Sequence, residues 1–241
     1  MKILRQDAAR TQKSLLMAAS DIFAEKGFRD ATIAEISKRA GTNGAAVNYH
    51  FGDKETLYRE AWRQSFRDSI KAHPPDGGVD MSAPPEQRLA GHVTALLRRI
   101  NDKDNREFLI VNKELANPTG LLEEVMQEEM RPLRRRIMAL VREILGPVKP
   151  EIEVRFCTVS ILSQCVIPAF INIVEKPETD VGNESLRIDE IEAYAEHVVT
   201  FSLAGMAAIG RNTLTVTDTS KTAPNVRVCT KVQGRSMADK V

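Results

Sequence analysis

The 241-residue sequence is poor in cysteine and in aromatic residues. Its three cysteines, Cys157, Cys165 and Cys229, stand at spacings that suit no metal site. Cys157 and Cys165 are eight residues apart, which is about 12 Å along a helix and beyond the reach of a disulfide. We therefore expect a reduced, cytoplasmic protein that carries neither a metal nor a cofactor.

Long apolar runs are also scarce. No apolar segment follows the first charges, and the longest apolar stretch is interrupted by Ser163, Gln164 and Pro168. We therefore expect neither a signal peptide nor a membrane span. The motifs of phosphate-binding loops, serine hydrolases and zinc proteases are missing too, and His92 and His197 have no cysteine or acidic partner at ligand spacing. These absences predict that the protein is not an enzyme.

The net charge of +1 is small, but the charges are unevenly distributed. Residues 1–75 contain 13 basic and 9 acidic side chains, whereas residues 76–211 contain 16 basic and 22 acidic ones. The N-terminal part therefore suits a phosphate-rich partner. A chain of this length forms one large or two small domains.

Residues 32–54 have the pattern of two short helices. Thr32 and Glu35 have the spacing of a capping box, which begins a helix, and Gly41 is suited to end it. Asn43 can cap a second helix that runs to about His50. Two short helices joined by a tight turn containing glycine form a helix-turn-helix, here at about residues 32–51.

The second helix has a slim start and a bulky end. Residues 44–46 leave its first turn almost bare, so that it can approach the floor of a groove. Asn48 can pair with adenine edges or phosphate, and Tyr49 and His50 can donate to phosphate oxygens, unless they only close a small core. Lys54 lies in the first turn of the next helix, where a positive helix end also favours phosphate. The predicted DNA contacts are Thr32, Thr42, Asn43, Gly44, Ala45, Ala46, Asn48, Tyr49, His50 and Lys54.

The run from Arg10 to about Phe66 resembles the DNA-binding domain of the TetR family of bacterial transcription regulators. The matching residues are Ala18, Ala19, Phe23, Gly27, Thr32, Ile36, Ala40, Gly41 and the run 48–57. The chain departs from the family at Asn48, where another aromatic residue is typical, and at residues 44–46, where one residue is usually larger. The resemblance implies an all-α fold with an N-terminal three-helix helix-turn-helix domain, residues 9–69, and a C-terminal helical domain for ligand binding and dimerisation, residues 83–211.

The remaining elements follow from helical periodicity and breakers. We expect a loose arm at residues 1–6, a first helix capped by Asp7, and a linker at residues 73–85, which hold four prolines and two glycines. Helices are predicted at about 53–73, 85–101, 105–116, 120–145, 150–176 and 189–210. Pro132 should kink the fourth of these unless a turn restarts there. Arg134–Arg136 are interpreted as a solvated face paired with Glu128 and Glu129, and residues 212–241 as a disordered tail.

The last two helices are apolar around most of their circumference, which predicts that they are covered on more than one side. Two such helices from each of two subunits would form a four-helix interface; the alternative is a fully internal hairpin. A homodimer places two reading heads on two half-sites, so the expected partner is a double-stranded, palindromic DNA operator.

Regulators that resemble this chain enclose a small molecule between the middle helices, and residues 107–146 also resemble the C-terminal domain of the CecR-like subgroup. The candidate ligand-binding residues are His92, Phe108, Asn112, Met130, Met138, Phe156 and Gln164. The prediction is therefore a DNA-binding repressor that an unidentified small-molecule effector releases from its operator, without membrane attachment. The alternatives are a helical dimerisation or adaptor module and a small all-α enzyme, neither of which binds DNA.

Overall fold

The computed structural model describes residues 2–174 and 185–211, and within these ranges all regular secondary structure is α-helical. The all-α expectation is confirmed. The predicted tail, residues 212–241, lies outside the described residues, as does Cys229. The described helices are α1 Lys2–Asp30, α2 Ile33–Arg39, α3 Gly44–Phe51, α4 Lys54–Ala72, α5 Pro85–Asn101, α6 Arg106–Ala116, α7 Glu123–Leu145, α8 Glu151–Val174 and α9 Ile191–Arg211.

The first helix begins earlier than predicted. α1 already starts at Lys2, so the loose arm and the cap at Asp7 are wrong. Residues 2–6 contain no glycine or proline, and most are good helix formers, so the helix extends through them. The carbonyl of Asp7 accepts a hydrogen bond from Thr11 Oγ1 within the helix. Gly27, with φ 76° and ψ −179°, interrupts the helix near its C-terminal end.

The helix-turn-helix forms as its caps predict. Thr32 and Glu35 make the capping box of α2, and Gly41 adopts a left-handed φ of 68° after it. The side chain of Asn43 then caps α3. Asp53 caps α4, whose buried residues, Leu57, Tyr58, Ala61, Trp62 and Phe66 among them, close the core against α1.

Two hydrophobic clusters make up the core. The first lies between α1, α2, α3 and α4 and also takes in Ile110 of α6 and Val125 of α7. The second joins α5, α7, α8 and α9 around Leu89, Leu97 and Val154. Because α6 and the start of α7 pack on the first cluster, the N-terminal helices rest directly on the helices that follow the linker.

The linker is held tightly against α5. A Cβ atom on Gly91 would come within 2.3 Å of the carbonyl oxygen of Asp76, so only glycine permits this approach. On the side of α4, His73 Nε2 lies 2.9 Å from Asp102 Oδ2 in the α5–α6 connection. The connection between α4 and α5 is therefore packed in place.

The third predicted C-terminal helix begins at Glu123 and continues through Pro132 to Leu145. The expected partners of its acidic residues are wrong. Glu128 Oε2 lies 3.3 Å from Arg63 Nη2, and Glu129 Oε1 lies 3.1 Å from Arg63 Nε and 3.3 Å from Arg67 Nη2, so both acids contact α4. Arg134, Arg135 and Arg136 are exposed, as expected, but these acids do not neutralise them.

The outer face of α8 carries exposed apolar side chains. Ile152, Phe156, Val159 and Ile167 are 42%, 62%, 61% and 51% exposed, and Phe201 of α9 is 63% exposed. By length and composition, one stretch of the described residues, Glu151–Ile173, could cross a membrane, with mean hydropathy 1.8. This is weak support for a span, because core helices of soluble proteins have the same composition.

Candidate DNA-binding surface and effector cavity

Helix α3 is packed against the core on one side and exposed on the other. Val47 is fully buried and Phe51 is 8% exposed, and these two residues fix the helix on the first cluster. Gly44, Ala45 and Asn48 are exposed, and Ala46 is half-buried. The slim start of α3 therefore faces outward, as its approach to a groove requires.

Tyr49 decides between the two interpretations of the end of α3. Its side chain is 81% exposed, so it does not close a core. His50 is half-buried between the rings of Tyr49 and Phe51, with centroid distances of 4.9 and 6.2 Å. An exposed phenol beside a partly covered imidazole presents two hydrogen-bonding groups on one side of α3.

The residues that flank α3 serve as caps. Thr32 is exposed, and its Oγ1 accepts a 3.2 Å hydrogen bond from the backbone N–H of Glu35. Asn43 Oδ1 accepts from the backbone N–H of Ala46 at 3.1 Å, and the side-chain NH₂ group of Asn43 has no hydrogen-bond acceptor among the described residues. Thr42 is half-buried, and its Oγ1 has no hydrogen-bond partner among the described residues.

Lys54 points inward in this structure. Its Nζ lies 3.5 Å from the carbonyl oxygen of Arg29 and 4.5 Å from the ring centre of Phe28. Burial lowers the pKa of this ammonium group, and the nearby carboxylate of Asp30 acts in the opposite direction. Lys54 therefore braces the end of α1 against α4, and a phosphate contact requires its side chain to turn outward.

A cavity of about 530 Å³ opens between α4, α5, α6, α7 and α8. Its volume lies in the range typical of small-molecule sites. Most of its wall is apolar. The lining residues are Ile70, His73, Pro75, His92, Ala95, Leu96, Arg99, Ile100, Glu107, Phe108, Val111, Leu115, Met126, Met130, Leu133, Arg134, Arg136, Ile137, Leu162, Val166 and Phe170.

Three of the seven predicted ligand residues, His92, Phe108 and Met130, line this cavity. The other four lie outside it. Met138 packs against the second cluster, and Asn112 is half-buried with an Oδ1 that has no partner among the described residues.

Phe156 and Gln164 lie elsewhere on α8. Phe156 belongs to the exposed outer face, 62% exposed. Gln164 Nε2 donates to the backbone carbonyl oxygen of Ser160 at 3.2 Å. The backbone carbonyl oxygen of Gln164 accepts a hydrogen bond from Tyr194 Oη at 3.0 Å. Gln164 is therefore engaged between α8 and α9.

Sequence reasoning missed the charged residues of the cavity. Arg99 and Glu107 are each 6% exposed, and Arg99 Nη1 lies 3.6 Å from Glu107 Oε2. Burial raises the pKa of the Glu107 carboxyl group, and Arg99 opposes this. A signal was present, because His92, Leu96 and Arg99 recur at spacings of four and three and so share one face of α5.

His92 occupies a similar environment further along α5. Burial lowers the pKa of its imidazole, because the charged form loses water. A neutral imidazole can both donate and accept a hydrogen bond, so His92 adds a polar group without charge to the wall.

Two family models match the chain and together cover most of it. Residues 15–61 match the bacterial regulatory proteins of the tetR family, and residues 85–206, half of the chain, match the C-terminal domain of the HTH-type transcriptional dual regulator CecR. The chain belongs to the TetR family. The expectation of a helix-turn-helix domain followed by a helical domain agrees with both matches.

Curated relatives of the chain are other TetR-family regulators. CecR of Shigella flexneri is 27% identical over 149 residues, which are 57% of this chain and 66% of that protein. The HTH-type transcriptional repressor BepR of Brucella suis is 34% identical over 59 residues, 24% of this chain and 28% of BepR. The matched stretches thus span less than two-thirds of either relative.

A solved structure shares the fold across both parts of the chain. The transcriptional regulator FadR from Bacillus subtilis, in complex with stearoyl-CoA, superimposes with a TM-score of 0.61 at 16% identity. The alignment covers 80% of this chain and 98% of FadR. At this identity the likeness establishes the fold alone.

Proposed function

We propose that this TetR-family chain is a transcription repressor that binds a palindromic operator as a homodimer and leaves it when a small molecule fills the cavity. The observation that carries the proposal is the presentation of α3. Its start is bare, and Tyr49 in its last turn is 81% exposed, although Val47 and Phe51 anchor the helix in the core. A large exposed aromatic residue beside a slim helix start suits a duplex groove and its phosphates.

The outer face of α8 and α9 supports the homodimer. Exposed apolar side chains at residues 152, 156, 159 and 167 follow helical spacing on one stripe of α8, and Phe201 adds to it from α9. A two-fold axis through this face would bury the stripes of both copies against each other in a four-helix interface. Coverage by a second copy also accounts for an apolar α8 without a membrane.

Helix α4 gives the effector a route to the reading head. Lys54 at its start contacts α1, whereas Ile70 near its end lines the cavity. Along its length Arg63 contacts Glu128 and Glu129 of α7. An effector that favours a different placement of α7 would move α4, and with it the spacing of the two heads.

The names of the related proteins agree with this proposal. BepR is named a repressor, and the FadR structure contains stearoyl-CoA, a small molecule. We place DNA binding in residues 9–69 and effector binding with dimerisation in residues 83–211, in a cytoplasmic regulator rather than an enzyme. A helical adaptor module stays the alternative, and it predicts no DNA binding at all.

The test is selection of bound oligonucleotides followed by gel-shift titration. We expect a salt-sensitive, sequence-selective complex with a palindromic site. Tyr49→Ala should weaken that complex by about tenfold, since it removes the proposed contact of each subunit with the phosphate backbone of the DNA. Met81→Ala, at a linker side chain that is 76% exposed, is the matched control and should change nothing.

Absence of any selective complex, with the dimer intact in solution, would favour the adaptor alternative. If Tyr49→Ala bound the operator as tightly as the native chain, α3 would not be the reading helix.

A further inference from the structure

Positively charged side chains outnumber negatively charged ones in the cavity lining. Three arginines, Arg99, Arg134 and Arg136, line it against one acid, Glu107. Arg134 and Arg136 are exposed at the rim and have no ion pair or hydrogen bond among the described residues. The cavity therefore offers positive charge that the described protein does not neutralise.

Arg99 is the buried member of this group. Its residue is 6% exposed, yet its Nη1 has no hydrogen-bond partner among the described residues. Glu107 Oε2, at 3.6 Å, is too far for a hydrogen bond and is also without one. A buried guanidinium N–H without an acceptor is costly, so an acceptor supplied from the cavity would be favoured there.

Most of the other residues that line the cavity are apolar. Each of the five helices also contributes apolar side chains to the lining, Phe108, Met130, Leu133 and Phe170 among them. The Phe108 and Phe170 rings lie 5.9 Å apart across α6 and α8. Such a wall gains free energy from an apolar body and none from a fully polar ligand.

We propose that the effector is an amphipathic organic anion, whose carboxylate or phosphate accepts hydrogen bonds from Arg99 and whose apolar body fills the cavity. Arg134 and Arg136 attract the anion at the rim. This inference rests on the proposed function, because it names the chemical class of the effector of the same regulator. The opposing possibility is a cation held by Glu107.

The first experiment uses four probes with one apolar chain and different heads: dodecanoate, dodecyl phosphate, dodecan-1-ol and dodecylammonium. Each is titrated below its micelle concentration into the full chain by calorimetry. Fluorescence gives a second readout, because Trp62 is the single tryptophan and stacks on Phe66, whose ring lies 5.5 Å from the Arg99 guanidinium carbon. We expect one or both anions to bind about tenfold or more tighter than the alcohol, as a charge-assisted hydrogen bond predicts. Dodecylammonium should bind weakest.

The second experiment removes the charges. Arg99→Gln leaves Glu107 buried without a counter-charge, which destabilises the fold, so it is paired with the double variant Arg99→Gln/Glu107→Gln. In the double variant we expect the anion-to-alcohol ratio to fall to about one, with alcohol binding kept. Arg134→Gln/Arg136→Gln should lower the ratio by a smaller factor. Arg135→Gln is the matched control, because Arg135 is exposed and does not line the cavity.

The outcomes separate the two proposals. Tightest binding of dodecylammonium, or equal binding of all four probes, overturns the anion inference, as does an unchanged ratio in a folded double variant. If the double variant does not fold, the probe series on the native chain and the rim variants still decide. Operator binding without a preference for anions would contradict this inference alone. Anion binding without any operator complex would contradict the proposed function but would still support an anion site in the cavity.

Discussion

Residues 32–54 hold nearly the whole candidate DNA-binding surface in one continuous stretch, whereas the cavity takes its lining from five helices between Ile70 and Phe170. The two regions also use polar groups differently. On the surface, Thr32 and Asn43 satisfy the backbone of their own helices. In the cavity, Arg99 and Glu107 come from separate helices and meet only after folding.

This difference shows where each region is vulnerable. The candidate DNA-binding surface depends on local caps and on the two buried residues Val47 and Phe51, so we expect small changes on its exposed side to leave the fold intact. The cavity depends on the packing of α5 to α8, so its chemistry changes whenever those helices move. Helix α4 contributes residues to both regions, and in the proposed mechanism it is the element that couples them.

The largest expected effect is at Trp62, in the helix that both regions share. Trp62 is fully buried, so Trp62→Ala should lower the free energy of unfolding by about 3–5 kcal/mol. Urea unfolding measures this. Tyr49→Ala is the matched aromatic truncation at an 81% exposed site and should cost less than about 0.5 kcal/mol. Equal losses in the two variants would contradict the division between shared core and open surface.

The second-largest expected effect concerns the exposed apolar face of α8. Phe156→Glu places a carboxylate on each side of the proposed two-fold interface, and we expect the dimer to dissociate with a loss of about 2 kcal/mol or more. Sedimentation at several concentrations measures this, and operator affinity should fall with it. Met81→Glu, on the linker, is the control. A Phe156→Glu variant that stays dimeric would place the interface elsewhere.

A smaller effect tests whether local caps stabilise the helix-turn-helix. Thr32→Ala removes the capping box of α2 and should cost about 1 kcal/mol in the free energy of unfolding. The control is Thr11→Ala, where the hydroxyl bonds only to the carbonyl of Asp7 inside α1. If Thr11→Ala cost as much as Thr32→Ala, the cap would have no special role.

The smallest effect is a pH dependence in the cavity. Because burial lowers the pKa of His92, the folded state resists protonation that the unfolded chain accepts at its ordinary pKa of about 6.5. The stability should therefore fall as pH drops below that value, and His92→Gln should flatten this slope in urea unfolding series. Asp76 opposes the shift, whereas Arg136 and Arg88 favour it. A slope that persists in His92→Gln belongs to other groups.

Prediction from the sequence succeeded for features that depend only on residues within one helical turn of each other. The capping box at Thr32, the cap at Asn43 and the turn at Gly41 each act within three or four residues, and all three are found. The cap at Asp7 failed because residues 2–6 continue the helix, so the helix does not need to begin there. Local signals mark possible helix starts, and the neighbouring residues decide which is used.

Contacts between distant elements were predicted poorly. Glu128 and Glu129 pair with α4 rather than with the arginines of their own helix, and Phe156 lies on the outer face rather than in the cavity. Arg99 shared a face of α5 with His92, but periodicity alone does not show whether such a face meets a core, a cavity or solvent. That choice depends on the helices packed around it.

The order of the helices and the caps at Thr32 and Asn43 were determined by the sequence alone, because hydrogen bonds within a few residues fix them. The exposure of Tyr49 at the end of α3 was decided by the packing of that helix on Val47 and Phe51. The cavity, its surplus of positive charge and the burial of Arg99 beside Glu107 were decided by tertiary structure. Their residues are separated along the chain, and only the packing of five helices brings them within reach of one ligand.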